Sequence, residues 1–137
     1  MDAPQHLAHK PIISVSDYDK VDGKYANATD AMALSLGLAQ YDRSDISLKV
    51  WRYTNDEKWS RQSEELPVHR NLDLTILFLT SLLISDSESE EYTQSIFLKN
   101  FSIDNPELIR NIQEEYNGKY IKSRLKEIRD LLNKILK

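Results

Sequence analysis

The apolar residues of this chain change their spacing once, and that change limits what it can fold into. Leu34, Leu36 and Leu38 alternate with Ser35, Gly37, Ala39 and Tyr41. Ile46, Leu48 and Val50 alternate with Ser47, Lys49, Trp51 and Tyr53. A period of two marks half-buried strands. From Leu66 onward the apolar residues recur at helical spacing. Strands followed by helices, with no alternation between the two, point to an α+β protein.

In the β half, Pro11–Val15 is β-branched and reads as a short edge strand with Pro11 at its start. Residues 16–30 are rich in Asp, Asn, Ser and Gly and read as a long ordered loop. Asn55-Asp56-Glu57 supplies a turn, and Lys58–Glu64 reads as a third strand of the meander. Short connections make antiparallel pairing the simplest topology. Asp30–Leu38 also has a helical alternative, because Ala, Met and Leu favour helix.

In the helical half, Pro67 suits the first position of a helix. Leu72, Leu74, Ile76, Leu77, Phe78, Leu79, Leu82, Leu83 and Ile84 then point in nearly every direction, which predicts an enclosed central helix. Residues 85–91, SDSESEE, read as a solvated acidic connector, and Tyr92–Phe101 as a short helix. Asp104-Asn105 can cap, Pro106 opens a further helix with Leu108, Ile109, Ile112 and Tyr116 on one stripe, and Asn117-Gly118 ends it. The last helix, 119–136, places Ile121, Leu125, Ile128, Leu132 and Ile135 on an a/d heptad. Residues 119–137 hold seven basic and two acidic side chains, net +5. That helix reads either as one closing the core or as one forming a dimer.

The expected architecture is a small antiparallel sheet of three to four strands packed on a central helix, followed by a C-terminal helical pair. The chain reads as one domain over 1–137, with a loose arm at 1–10, a mainly β part at 11–65 and a mainly helical part at 66–137. The expected core is Leu36, Leu38, Leu48, Val50, Leu72, Ile76, Leu79, Leu83, Ile112, Leu125, Ile128 and Leu132.

Several chemistries are excluded by composition. Cysteine is absent, which removes thiolate catalysis, Cys-based zinc sites and disulfides. A net charge of -4 opposes general attraction to nucleic acid or acidic lipid. The N-terminus lacks a signal-peptide pattern and no apolar run approaches the ~20 residues of a membrane span, so a cytoplasmic location is expected. Asp17, Asp19 and Asp22 depart from calcium-loop spacing, and neither a metal nor a cofactor is expected. His6 and His9 lie in the arm and are read as solvated.

The most unusual stretch is Lys49–Asp73. It contains Trp51, Arg52, Trp59, Arg61, His69 and Arg70. Adjoining strands would set Trp beside Arg, and His69 and Arg70 would lie in the first turn of a helix. A cation there is unfavourable without a neighbouring anion, while helix N–H groups and Arg both bind phosphate. Trp offers a stacking face. These six residues are the candidate ligand-binding set, and no catalytic set is assigned. The competing interpretation is cross-strand packing of the tryptophans with ordinary Arg–Glu pairing. A four-residue turn at 54–57 would put Trp51 and Trp59 on opposite faces, and one residue more or fewer would bring them together.

The segments HLAHKPII, YDKVDGKYANATDA, LSLGLAQ, DISLKVWR and KWSRQSEELPVHRNLDL resemble a family of small, uncharacterised bacterial proteins over residues 6–80. The resemblance implies no activity or cofactor. The leading expectation is a non-enzymatic binder of an anionic, nucleotide-like molecule, a homodimer or higher oligomer through its last helix, sequestering a signalling nucleotide as some phage counter-defence proteins do. The alternatives are a protein-interaction module, or a hydrolase of a phosphorylated metabolite using His69.

Overall fold

The computed structural model describes residues 1–60, 64–84 and 100–137. The sheet contains β1 (Lys10–Val15), β2 (Ala31–Leu38), β3 (Ile46–Arg52) and β4 (Glu64–Pro67). The strands lie in sequence order, and every neighbouring pair is antiparallel. The helices are α1 (Val68–Leu82), α2 (Ile109–Asn117) and α3 (Ile121–Ile135). The fold is therefore α+β with an antiparallel meander, as the change of period predicts. Ala31–Leu38 is a strand and not the helical alternative. The chain divides into two compact units, Met1–Leu72 and Asp73–Lys137.

Three boundaries differ from the sequence expectation. The last strand is Glu64–Pro67; of the expected strand Lys58–Glu64, Trp59 makes an isolated bridge with Tyr53, and residues 61–63 lie outside the described residues. Pro67 ends that strand, and α1 starts one residue later at Val68. A proline can occupy an edge strand because its missing N–H faces away from the ladder. Asn105 precedes the 3-10 turn Pro106–Leu108 without a side-chain capping bond. The Gly118 stop holds: its N–H donates to the carbonyls of Glu114 and Glu115. The acidic connector and nearly all of the expected helix at 92–101 fall outside the described residues.

The deepest face of the sheet is not the leucine face. Ala31, Ala33, Ser35, Gly37 and Ala39 are buried on β2 and just beyond it, with Ser47, Lys49 and Trp51 on β3. Leu36, Leu38, Leu48 and Val50, expected in the core, are only half-buried, as is Leu34. The reason is the N-terminal segment. Ala3, Pro4 and His9 are buried, and Ala3 forms a cluster with Ala33 and Trp51. Residues 1–10 are thus no loose arm. Small side chains let this segment's backbone approach the sheet, and the bulk at one end comes from Trp51.

β1 approaches β2 equally closely. A Cβ on Gly37 would lie 2.0 Å from the Lys10 carbonyl oxygen. Opposite Gly37 is Pro11, and the register shifts between Pro11 and Ile13. Only a residue without a side chain fits there. In the helical unit, α1 was expected to be enclosed, yet Leu74, Leu77 and Leu79 are exposed. Its apolar residues ring the axis, so no single packing face takes them all.

Gly37→Ala is expected to destabilise the protein by about 1–3 kcal/mol, the usual range for forced overpacking. A lowered thermal midpoint would show this, and an unchanged one would mean that β1 is not held against β2 as described.

Candidate functional site

A fully buried histidine forms the centre of the sheet unit. His9 is 0 % exposed. Its Nδ1 lies 2.8 Å from Glu65 Oε1 and its Nε2 lies 2.8 Å from Ser35 Oγ. Ser47 Oγ donates to Glu65 Oε1 at 2.7 Å and lies 3.0 Å from His9 Nδ1. The Gln40 amide donates to the same carboxylate oxygen at 3.0 Å. Trp51 Nε1 donates to Ser35 Oγ at 2.9 Å.

Strand register explains how these groups meet. Ser35, Lys49 and Glu65 are cross-strand partners in one row of β2, β3 and β4. Gly37, Ser47 and Pro67 form the next row. Cross-strand partners share a face, so this alignment puts two hydroxyls, an ammonium and a carboxylate on the buried side. His9, immediately before β1, lies over both rows. One tautomer satisfies every bond: a proton on Nδ1 for Glu65, and Nε2 accepting the Ser35 hydroxyl.

Electrostatics follow from this arrangement. Burial pushes the Glu65 carboxyl up, but hydrogen bonds from Ser47, His9 and Gln40 outweigh it and hold the group below its ordinary value. Burial pushes the Lys49 ammonium down, against the opposing attraction of Glu65. Lys49 Nζ lies 4.4 Å from the centre of the Trp51 ring, a cation–π distance. Trp51 also meets the His9 ring edge-on at 5.7 Å and Trp59 at 5.8 Å.

Ser35, His9 and Glu65 occupy the positions of nucleophile, base and orienting carboxylate in a serine-hydrolase relay. The surroundings give them another role. Ser35 is 5 % exposed, and its hydroxyl donates to His9 while accepting from Trp51. An attacking oxygen must be reached by substrate, and this serine is buried and held between His9 and Trp51. The set acts as a polar lock that ties residue 9 to three strands.

The residues singled out in the sequence are dispersed. Trp51 is 2 % exposed and serves packing. Tyr53 pairs with Trp59, so the turn is one residue longer than four and both tryptophans share a face. Arg52 is bound by Asp30 at 2.6 Å and by Glu64, and both carboxylates raise its pKa. Trp59 is half-buried, and Arg61 lies outside the described residues. His69 and Arg70 are exposed in the first turn of α1. Tyr41 is pushed up to about 12 by desolvation and its bond to Asp45, with Arg70's charge opposing. His9 was read as solvated. Its signal was the stripe of small and polar residues on β2 and β3, which requires a close polar cover.

The helical unit carries a second surface. On α3, Ile121 and Leu125 are half-buried, whereas Ile128, Leu132 and Ile135 are exposed by 38 %, 46 % and 71 %. Leu131 and Leu136 beside them are 50 % and 73 % exposed. The heptad stripe is covered at its start and open over its second half. Among the described residues there is no group of three or more His, Asp or Glu side chains arranged to hold a metal, and no helix long and apolar enough to cross a membrane.

Together these features define a small α+β protein with a buried His–Glu lock in its sheet and an open apolar stripe on its last helix. The chain belongs to DUF6530, a family of unknown function whose model matches residues 1–137. The match thus covers the C-terminal helices as well as the stretch over which the resemblance was seen. No curated protein and no solved structure matches the chain.

Removing the His9 side chain would take one of three donors from Glu65 and leave the Ser35 hydroxyl without its acceptor. His9→Ala is therefore expected to cost about 1–3 kcal/mol of stability, measured by denaturant unfolding. A loss within ~0.5 kcal/mol, the range of ordinary surface changes, would rule out the lock. The pH dependence has a definite sign. Glu65 is held below its ordinary value of 4.5 in the folded state, so the native protein binds fewer protons than the unfolded chain. Its contribution is fully present above that value and is lost as pH falls through the folded pKa. Glu65→Gln is expected to flatten the acid limb of the unfolding midpoint against pH, and an unchanged acid limb would contradict the assignment. A fluorophosphonate probe is expected to leave the folded protein unlabelled. An adduct on Ser35 by mass spectrometry would show it to be a nucleophile.

Proposed function

We propose that the protein is a protein-interaction module and that its helical C-terminal unit is the binding part. The observation that supports this is the open half of the α3 stripe. Four apolar side chains on one regular helix, Ile128, Leu131, Leu132 and Ile135, and Leu136 just after it are each at least 38 % exposed. Single exposed apolar residues are normal, but a contiguous stripe marks an interaction surface. Heptad spacing further specifies another helix as the complementary shape.

A narrower observation supports the anionic, nucleotide-like ligand. His69 and Arg70 are exposed beside the N–H groups of the first turn of α1, a place suited to phosphate. Arg52 is already neutralised and Trp51 already buried. That reading therefore ranks second. In a thermal-shift screen of nucleotides, stabilisation of the wild type that is lost in Arg70→Ala would promote it. No shift for any nucleotide would remove it.

Ile128→Gln, Leu132→Gln and Ile135→Gln combined are expected to leave the thermal midpoint nearly unchanged, because these residues contribute little to the fold. A fall of many degrees would make them core residues and overturn the proposal. In the wild type the stripe is expected to bind at least one of a set of synthetic amphipathic helices, measured by fluorescence anisotropy, and the triple variant none. Failure of the folded wild type to bind any helix, together with a monomeric sedimentation profile, would also overturn it.

A further inference from the structure

The N-terminal segment is tied down over the sheet by bonds to charged carboxylates. Among the described residues, its side-chain ties lie at its two ends. At one end the Met1 ammonium lies 2.5 Å from Asp17 Oδ1. At the other, His9 donates to Glu65 and accepts from Ser35. Between them Ala3 and Pro4 are buried, Ala3 in one cluster with Ala33 and Trp51, while residues 5–8 are exposed. Just beyond His9 the Lys10 backbone is pressed against Gly37, which gives the segment a fixed pivot.

The two ties differ in weight. Met1 and Asp17 have side-chain exposures of 42 % and 67 %, with Lys20 also facing the aspartate. A pair that exposed contributes little. His9 and Glu65 have exposures of 0 % and 4 %. A hydrogen bond to a charged acceptor is also roughly twice as strong as a neutral one. The segment therefore depends on the charge of Glu65.

The groups facing Glu65 give the response its direction. His9 faces it from the N-terminal segment, Ser47 and Lys49 from β3, and the Gln40 amide and Tyr41 from just beyond β2. Protonating Glu65 weakens the His9 bond and at the same time ends its attraction for the buried Lys49 ammonium. Hydrogen bonds hold the folded carboxyl below its ordinary value. The hold is therefore complete at neutral pH and is lost as pH falls through the folded value. The backbone ladder that joins β1 to β4 contains no titrating group. Terminal segments also belong to the least stable parts of a fold.

We infer that residues 1–9 form an acid-released strap: protonation of Glu65 frees His9 and lifts the segment off the small-residue face of the sheet, uncovering Trp51 before the strands separate. This device belongs to the sheet unit and stands apart from the interaction-module reading.

The test uses the full chain with Ala3→Cys, which puts its one thiol on the buried side of the segment. Labelling by a dithiodipyridine, a reagent that attacks thiols in acid, is followed against pH beside far-UV circular dichroism. The labelling rate is expected to rise at least about tenfold, the effect of one pK unit, while the spectrum is still native. Adding Glu65→Gln should make labelling fast at neutral pH and flat on acidification. Asp17→Asn should leave the rise in place. A rise that coincides with loss of the spectrum would mean that the segment leaves only with the sheet, and would overturn the inference. So would a rise that survives Glu65→Gln, or one that Asp17→Asn removes. If Ala3→Cys lacks the wild-type spectrum at neutral pH, acrylamide quenching of the wild-type tryptophans reads the same event. Quenching that increases before the spectrum changes supports the strap, and quenching that increases only with it overturns the strap.

Discussion

The bond between His9 and Glu65 organises the sheet unit. It joins the residue before the first strand to the last strand, 56 positions apart in sequence. The remaining polar groups on the buried face are arranged around it. Ser47 and the Gln40 amide complete the carboxylate, and Ser35 completes the imidazole, itself completed by Trp51. Among the described residues no buried side-chain nitrogen or oxygen lacks a partner. A fully satisfied network in a low-dielectric interior fixes one arrangement, because every alternative strands a charge or a donor. An apolar core of Ala, Ser and Gly would be too thin to select a register. The polar lock does so, since a slip of one residue would turn Ser35, Lys49 and Glu65 to the other face together.

The same lock explains why the leucines are the less buried side chains. Burial on this face is set by distance of approach rather than by hydrophobicity. Gly37 admits the β1 backbone, and Ala33 admits Ala3. Small residues allow close backbone contact, and the bulky Trp51 fills the one place where the cover stands off. Leu34, Leu36 and Leu38 alternate onto the other face and are half-buried.

What could be read in the sequence follows from this. Alternation located β3 to within one residue and β2 to within three, and heptad spacing located α3, because both depend on local periodicity. The identity of the deeper face did not follow, since alternation defines two faces without ranking them. The usual ranking by hydrophobicity favoured the leucines. His9 was misplaced for a related reason: an isolated histidine near a terminus carries no local signal of burial, and its partners lie on three strands distant in sequence. The Trp/Arg cluster was found as a composition, but ion pairs such as Arg52 with Asp30 and Glu64 depend on register, which no window of sequence contains.

The two units then differ in what they leave available. In the sheet unit the chemically suggestive groups are consumed by one another, so resemblance to a hydrolase relay is a consequence of satisfying a buried histidine. A histidine with a carboxylate at Nδ1 and a hydroxyl at Nε2 is the simplest closed solution for an imidazole out of contact with water. In the helical unit the reverse holds. The apolar stripe of α3 is half-buried at Ile121 and Leu125 and exposed from Ile128 onward. Free energy not used in folding is what remains for binding. Function is therefore sought where the chain is least satisfied, on the second half of α3, and stability where it is most satisfied, around His9.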